Sequence, residues 1–391
     1  MTGHPWPQVP LGEIASVTSG QSAPQDSAHF GGDNRFVRVS HLDRGSHTVV
    51  GHDDLTDEAV QSHGLRLHKA GTIVFPKSGA SVRLEKRALL PFDAFLVSHL
   101  AAVLGDPALV DQSFLFYALR AHRFAGGKAD GYPTLKLSEI RSTKIPLPPL
   151  PEQRAIARVL RTVQRAKEAT EQVIVSAREL KQSLMLKLFG SADWEVMPLG
   201  EVAHIERGKF SHRPRNDPAF YGGDVPFVQT GDVVEAGGRL TIYRQTLNEA
   251  GLAVSRMFPA GTIVITIAAN IGHVGILEFD SAFPDSLIGI TPKDQVSNEF
   301  LNYYLMTQQP EMDRIAPRGT QKNINIQFLK PWPVPVPPPE DQQEIVSALR
   351  SVDRKIAAEE SRSEALGIVF DSLLHDLITA RRRVTAIEVS L

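Results

Sequence analysis

The sequence predicts an α+β fold: two related α+β globules, each followed by a long helix, with the two helices pairing antiparallel as a coiled-coil spacer. Three observations predict it. The chain repeats itself once at long period, each repeat changes texture sharply near its end, and each change falls on a run of prolines.

The repeat is read directly. Trp6-Pro-Gln-Val-Pro-Leu-Gly-Glu-Ile-Ala returns as Trp194-Glu-Val-Met-Pro-Leu-Gly-Glu-Val-Ala. Phe30-Gly-Gly-Asp with Phe36-Val returns as Tyr221-Gly-Gly-Asp with Phe227-Val. Ala70-Gly-Thr-Ile-Val returns at Ala260, and Phe114-Leu-Phe-Tyr-Ala-Leu at Phe300. Ile145-Pro-Leu-Pro-Pro returns as Val334-Pro-Val-Pro-Pro, and Gln153 as Gln342. The offsets stay within 186–191, so whole domains are duplicated, and the drift marks small loop insertions.

Residues 1–150 and 191–339 are rich in Gly and Pro, with short β-branched runs such as Thr72-Ile-Val-Phe and Thr262-Ile-Val-Ile. These read as short strands between long loops, with one helix near 112–124 and its counterpart near 298–309. Proline is accepted in a helix's first turn and not beyond it, so the runs at 146–151 and 333–339 open helices. Glu152–Phe189 holds neither Pro nor Gly, and from Glu340 to Val384 only Gly367 interrupts. The predicted organisation is a globule over 1–150, a helix over 151–190, a globule over 191–339, and a helix with a tail over 340–391.

Spacings of three and four pick out a seam in each helix. In the first they select Ile156, Val159, Val163, Ala166, Thr170, Val173, Ala177, Leu180 and Leu184. In the second they select Ile345, Leu349, Val352, Ile356, Glu359, Ser363, Leu366, Phe370, Leu373 and Leu377. Each rod spans about 55 Å at 1.5 Å per residue, longer than a globule of about 150 residues is wide. If the second globule's termini lie together, the second helix runs back along the first. Ile156 then meets Leu377, Leu188 meets Ile345, and the copies become pseudo-twofold mates.

Composition bounds the chemistry. The 391 residues include no cysteine, which excludes disulfides, Cys-based zinc sites, iron–sulfur clusters and a thiol nucleophile. No basic stretch followed by an apolar run opens the chain, and no apolar run reaches membrane-spanning length. We therefore expect a soluble, cytoplasmic protein with no membrane partner. The charge is spread: residues 1–150 carry 15 basic and 14 acidic side chains, and 191–339 carry 12 and 16. Any nucleic-acid contact must come from local patches.

No phosphate loop, dinucleotide fingerprint, aminomethyltransferase signature, His-Glu-x-x-His or nucleophile elbow occurs. Glu179-Leu180-Lys181 imitates the end of a nuclease motif but sits in heptad context. His63, His68, His204 and His212 read as surface or core residues rather than metal ligands. No catalytic residue and no metal site is predicted.

The chain resembles the specificity subunit of type I restriction–modification systems over nearly its whole length. The marks are the paired Pro-Leu-Gly-Glu-Ile/Val-Ala blocks, Tyr221-Gly-Gly-Asp-Val-Pro-Phe-Val-Gln-Thr-Gly-Asp, and Gly261-Thr-Ile-Val-Ile. Asn270-Ile-Gly-His-Val-Gly, Gly319-Thr-Gln-Lys-Asn-Ile and the Pro-Leu-Pro-Pro-Leu-Pro-Glu-Gln run at 146–153 complete them. The resemblance implies two target-recognition domains that each read half of a split duplex DNA sequence, held apart by the paired helices. It implies a non-catalytic chain that binds no cofactor itself. Its partners would be two methyltransferase (M) subunits that methylate adenine N6 from S-adenosylmethionine, and restriction/translocase (R) subunits that use ATP and Mg. The specificity subunit of a related bipartite system that cleaves beside its site fits the same marks. A stand-alone enzyme and a spacer joining two protein-binding domains stay open as other classes.

Base edges are read by Arg, Asn and Gln, and phosphates by cations. On polar loops beside the strand motifs, the candidates in the first globule are Lys77, Ser78, Arg83, Lys128, Tyr132 and Lys136. In the second they are Arg213, Arg215, Asn270, His273, Arg318, Gln321, Lys322 and Asn323. Arg158, Arg161 and Arg165 on the first helix are candidates for docking the methyltransferase partner.

Overall fold

The computed structural model describes residues 6–43, 46–124, 133–190, 194–317 and 322–384. The chain divides into two compact units, residues 1–170 with 361–391, and residues 171–360. The two long helices are continuous over Leu150–Gly190 and Pro339–Ile378, so each unit holds part of both.

In the first unit a four-stranded sheet has the order Ala15–Ser19, Leu100–Gly105, Ile73–Pro76, Ala88–Leu89. A three-stranded sheet places Phe30–Val37 between Asp53–Leu55 and Phe95–Leu96. A ribbon of Gln8–Pro10 with Lys144–Pro146 ties the globule's start to its end. Prolines are accepted there because a two-stranded ribbon is all edge.

The second unit repeats the plan. Its main sheet runs Ala203–Arg207, Leu287–Pro292, Ile263–Thr266, Val274–Leu277, Arg239–Leu240, and its smaller sheet centres on Tyr221–Phe227 beside Gln245–Leu247. Val196–Pro198 and Pro333–Pro335 form the matching ribbon. The central strands Ile73–Pro76 and Ile263–Thr266 are buried at every residue, which is why they read as continuous apolar runs instead of alternating ones.

The helix predicted near 112–124 spans Gln112–Ala121, and its counterpart spans Asn298–Ile315. Asp111 and Ser297 cap them, accepting from the amides of Phe114 at 3.0 Å and Phe300 at 3.3 Å. Their buried faces meet the main sheet and the start of the adjoining long helix. Phe114, Leu115 and Leu119 share a cluster with Ile156 and Leu160, and Phe300, Leu301 and Leu305 share one with Ile345 and Leu349.

The glycines of the repeated Gly-Gly-Asp blocks have distinct jobs. Gly31 and Gly222 sit at φ +91° and +85°, in the left-handed region that favours glycine. A Cβ on Gly32 would stand 2.3 Å from the Leu55 carbonyl oxygen, and one on Gly223 2.5 Å from that of Leu247. Together they form the irregularity that shifts strand register between Phe30 and Asn34, and between Tyr221 and Val225.

The proline runs end in a buried glutamine that acts as a clamp. Gln153 accepts from the Asp111 amide at 2.7 Å and donates to the carbonyls of Pro148 at 2.8 Å and Leu109 at 3.2 Å. Gln342 accepts from the Ser297 amide at 2.8 Å and donates to Pro337 at 2.9 Å and Gln295 at 2.8 Å. Each clamp satisfies backbone groups that would otherwise be orphaned beside a proline-rich turn, and it fixes the long helix to its globule.

The long helices pack antiparallel within each unit. In the first, Ile156 and Leu160 share a cluster with Phe370, Leu377 and Ile378, and Arg383 pairs with Glu152 at 2.8 Å. In the second, Met185 and Leu188 lie with Ile345 and Leu349, and Lys181 pairs with Asp353 at 2.6 Å. The second helix's predicted seam is buried or half-buried throughout.

The first helix's predicted seam needs correction past its midpoint. Val173 and Leu180 are 41% and 58% exposed, while Ile174, Ala177 and Met185 are buried. The packed stripe there runs through residue 174 rather than 173, and 181 rather than 180. A helix of 3.6 residues per turn drifts against a strict heptad. Val173 and Ile174 are adjacent apolar residues, so sequence spacing cannot tell which one faces the partner, and at the next turn it is Lys181, paired with Asp353, that turns inward.

Candidate nucleic-acid interface

In the second unit the Gly-Gly-Asp strand ends at Phe227 and is followed by Val228, both buried, which brings Gln229 to the start of the short helix Thr230–Glu235. Asp232 accepts from the Gln229 backbone amide at 2.8 Å, which pins that backbone. Gln245 lies opposite Phe227 in the neighbouring strand, and its side-chain carbonyl accepts a hydrogen bond from the Gln229 amide group. The loop after Ile263–Thr266 turns at Ala269 (φ +64°), and Ala268 bridges to Asn323. These pieces surround a groove of about 820 Å³, lined by Arg207, Arg215, Gln229, Gln245, Ala269 and Asn323 among others.

Its rim is cationic. The Asp285 carboxylate meets Arg213 at 3.1 Å and also pairs with Arg215, while the Arg207 Nε donates to the Asp285 carbonyl at 2.6 Å. Two guanidinium groups on one carboxylate, with a third on the same residue's backbone carbonyl, leave an excess of positive charge beside amide-bearing walls. That combination suits a polyanion whose bases are read by hydrogen bonding.

The first unit carries the same frame. Phe36 and Val37 deliver Arg38, whose backbone amide donates to His41 Nδ1 at 3.1 Å. Asp53 lies opposite Phe36 and pairs with the Arg38 side chain. Gly79 (φ +86°) takes the place of Ala269, and Ser78 bridges to Thr134 as Ala268 does to Asn323. The Ser78 hydroxyl lies 2.6 Å from His99 Nδ1.

Among the residues named from sequence, Ser78, Arg215 and Asn323 fall in these frames, and Lys77 adjoins them, its backbone bonded to His99 and Leu135. Arg213 has a structural task, donating to the carbonyls of Phe210 at 2.6 Å and His212 at 2.8 Å. Arg83 instead lines a separate cleft with Arg120 and Asp371. Lys136 is exposed at the start of the helix Leu137–Ser142.

Asn270 is exposed beyond the groove's turn. His273 is half-buried and held below the ordinary histidine range by desolvation, against the opposing pull of Asp313. Lys322 pairs with that same Asp313 at 2.8 Å. Lys128, Tyr132, Arg318 and Gln321 lie outside the described residues. Arg158, Arg161 and Arg165 are exposed on one face of the first long helix.

Sequence reasoning missed Arg38, Asp53, Gln229, Gln245, Arg207, His99 and Thr134. A signal was present for two of them. Arg38 and Gln229 stand where the matched blocks Phe-Val stop matching, and the first mismatch after a shared scaffold is where two binding sites can differ.

Of the histidines read as non-ligating, His68 is buried and pushed below its ordinary range by desolvation. His212 stacks on Phe220 and faces Asp217 at 3.2 Å. Among the described residues no group of three or more His, Cys, Asp or Glu is placed to hold a metal, and no helix is long and apolar enough to cross a membrane.

One frame occurs in both units, each fixed by a buried glutamine to the long helix that follows it, and this repetition defines the class: a chain carrying two related reading domains. The chain belongs to the type I restriction modification DNA specificity domain family, whose model matches residues 4–176 and again 191–367. It is 25% identical over 359 residues to the MjaX type I restriction enzyme specificity subunit of Methanocaldococcus jannaschii, covering 85% of this chain and 82% of that one. It is also 25% identical over 316 residues to the MjaVIII specificity subunit of that organism, covering 71% of each.

Solved structures share the fold. The S subunit of a type I restriction–modification system from M. genitalium aligns with a TM-score of 0.60 at 16% identity, over 97% of both chains. A chain from a type I R-M system solved to describe complex assembly and conformational transition aligns with a TM-score of 0.62 at 19% identity, over 95% and 97%.

Proposed function

We propose that this chain is the DNA-reading subunit of a type I restriction–modification complex. It recognises a split duplex target, one half-site per groove, and recruits enzymatic subunits without catalysing a step itself. The carrying observation is one frame repeated in the two units with different polar pairs at the equivalent positions: Arg38 and Asp53 in one, Gln229 and Gln245 in the other. A shared frame fixes how each globule meets a duplex, and a changed polar pair lets each half-site differ in sequence.

In this reading two methyltransferase subunits use S-adenosylmethionine to methylate adenine N6, with the base flipped from the stack in their sites. Restriction/translocase subunits use ATP and Mg. Arg158, Arg161 and Arg165 form part of the face that docks the methyltransferase. Twofold-related readers meet one side of a duplex about one helical turn apart, roughly 34–36 Å. The target therefore has about 3–5 specified pairs on each side of about 5–8 unread pairs.

Single-molecule methylome sequencing of the source cell, with and without this gene, tests the reading. The expected result is a bipartite adenine-methylated motif that vanishes with the gene. A continuous motif, or none that depends on the gene, overturns it.

A further inference from the structure

The corresponding positions in the two frames carry side chains that match different base pairs. Arg38 and Gln229 each follow the buried Phe-Val pair. Each is the residue before a short helix, and each backbone amide is bound by the side chain three residues on. Their side-chain partners, Asp53 and Gln245, occupy the same register position, opposite Phe36 and Phe227. Only the chemistry differs: an ion pair in one copy and an amide pair in the other.

Both members of the amide pair line the groove. Arg38 and Asp53 are each about one-third exposed, with side-chain exposures of 34% and 29%. A purely structural ion pair has no reason to become an amide pair at the same two positions while the surrounding frame is kept.

We infer that Arg38, braced by Asp53, reads a guanine in one half-site, and that Gln229, braced by Gln245, reads an adenine at the equivalent place in the other. This rests on the DNA-reading function proposed above. The Nε of Arg38 is engaged by Asp53, so the two terminal Nη groups form a fork of donors that matches guanine O6 and N7. Gln229 uses one amide hydrogen on Gln245 and keeps one donor and its oxygen, the pattern that adenine N6 and N7 require. Bracing holds each long side chain in one rotamer before it meets the duplex, which reduces the ordering cost of contact.

The test is target selection from a random duplex library by the full chain assembled with its methyltransferase partner. Wild type is compared with R38Q/D53Q and, separately, with Q229R/Q245D. The expected result for R38Q/D53Q is a change from G·C to A·T at one position of one half-site, with a preference of about 10- to 100-fold. The other half-site should stay unchanged and serves as an internal control for folding and assembly. Q229R/Q245D should make the converse change in the other half-site.

Should R38Q/D53Q lose its folded first unit, Q229R/Q245D decides the matter alone. A selected motif identical to wild type, or uniform weakening at every position, overturns the inference while leaving the DNA-reading function standing. A wild-type complex that selects no bipartite motif overturns that function itself.

Discussion

The two globules differ least where they grip the long helices and most where they face solvent. Gln153 and Gln342 make the same three kinds of hydrogen bond to equivalent backbone groups. The Gly-Gly-Asp irregularities match to within a few degrees of φ and tenths of an ångström. The polar pair after the Phe-Val block, by contrast, is an ion pair in one unit and an amide pair in the other. Backbone geometry that admits one solution has been kept in both copies, and the side chains at the end of the shared frame have diverged.

The clamps are the sharpest way to break this comparison. Gln153→Ala and Gln342→Ala each leave one amide and two carbonyl groups without their partner, and each should cost about 2–4 kcal/mol. Urea unfolding should show similar losses in the two variants. A loss in only one would show that the clamps are not equivalent.

A second difference should appear in acid. The first globule holds nine histidines in residues 1–150, the second three in 191–339. His47 packs against Phe116 with ring centroids 4.4 Å apart, and burial lowers its pKa to about 4. Its folded value lies below the unfolded 6.5, so the unfolded chain takes up a proton that the fold refuses. Stability is complete above about pH 6.5 and declines as pH falls toward 4. His47→Phe should recover about 2–3 kcal/mol at pH 4 and little at pH 8, as read by thermal unfolding across pH. An unchanged acid limb would remove His47 as a cause.

The smallest effect checks the helical seam. Val173→Ala and Leu180→Ser should each change stability by less than about 0.5 kcal/mol, as exposed sites do. Ile174→Ala should cost about 2–3 kcal/mol through lost packing. The reverse ranking in urea unfolding would restore the strict heptad.

Much of the frame was legible in the sequence. The prolines marked both helix starts because a ring without an N–H is accepted only there, and the repeat exposed the duplication. The candidate positions were less legible. Arg213 reads from sequence as a free loop cation, and the structure adds that it also donates to the carbonyls of Phe210 and His212. Asp53 and Gln245 were invisible because a residue on a neighbouring strand meets its partner only through register.

The sequence alone determined that one α+β unit occurs twice and that proline, glycine and apolar spacing set its strands and helices. Those are local restrictions on φ, on hydrogen bonding and on which face is apolar, and they act within a few residues of their cause. Only the tertiary structure decided that Arg38 meets Asp53, that Gln229 meets Gln245, and that Ile174 rather than Val173 enters the seam. Each of these depends on which distant backbone lies opposite, and that is set by the packing of the whole unit.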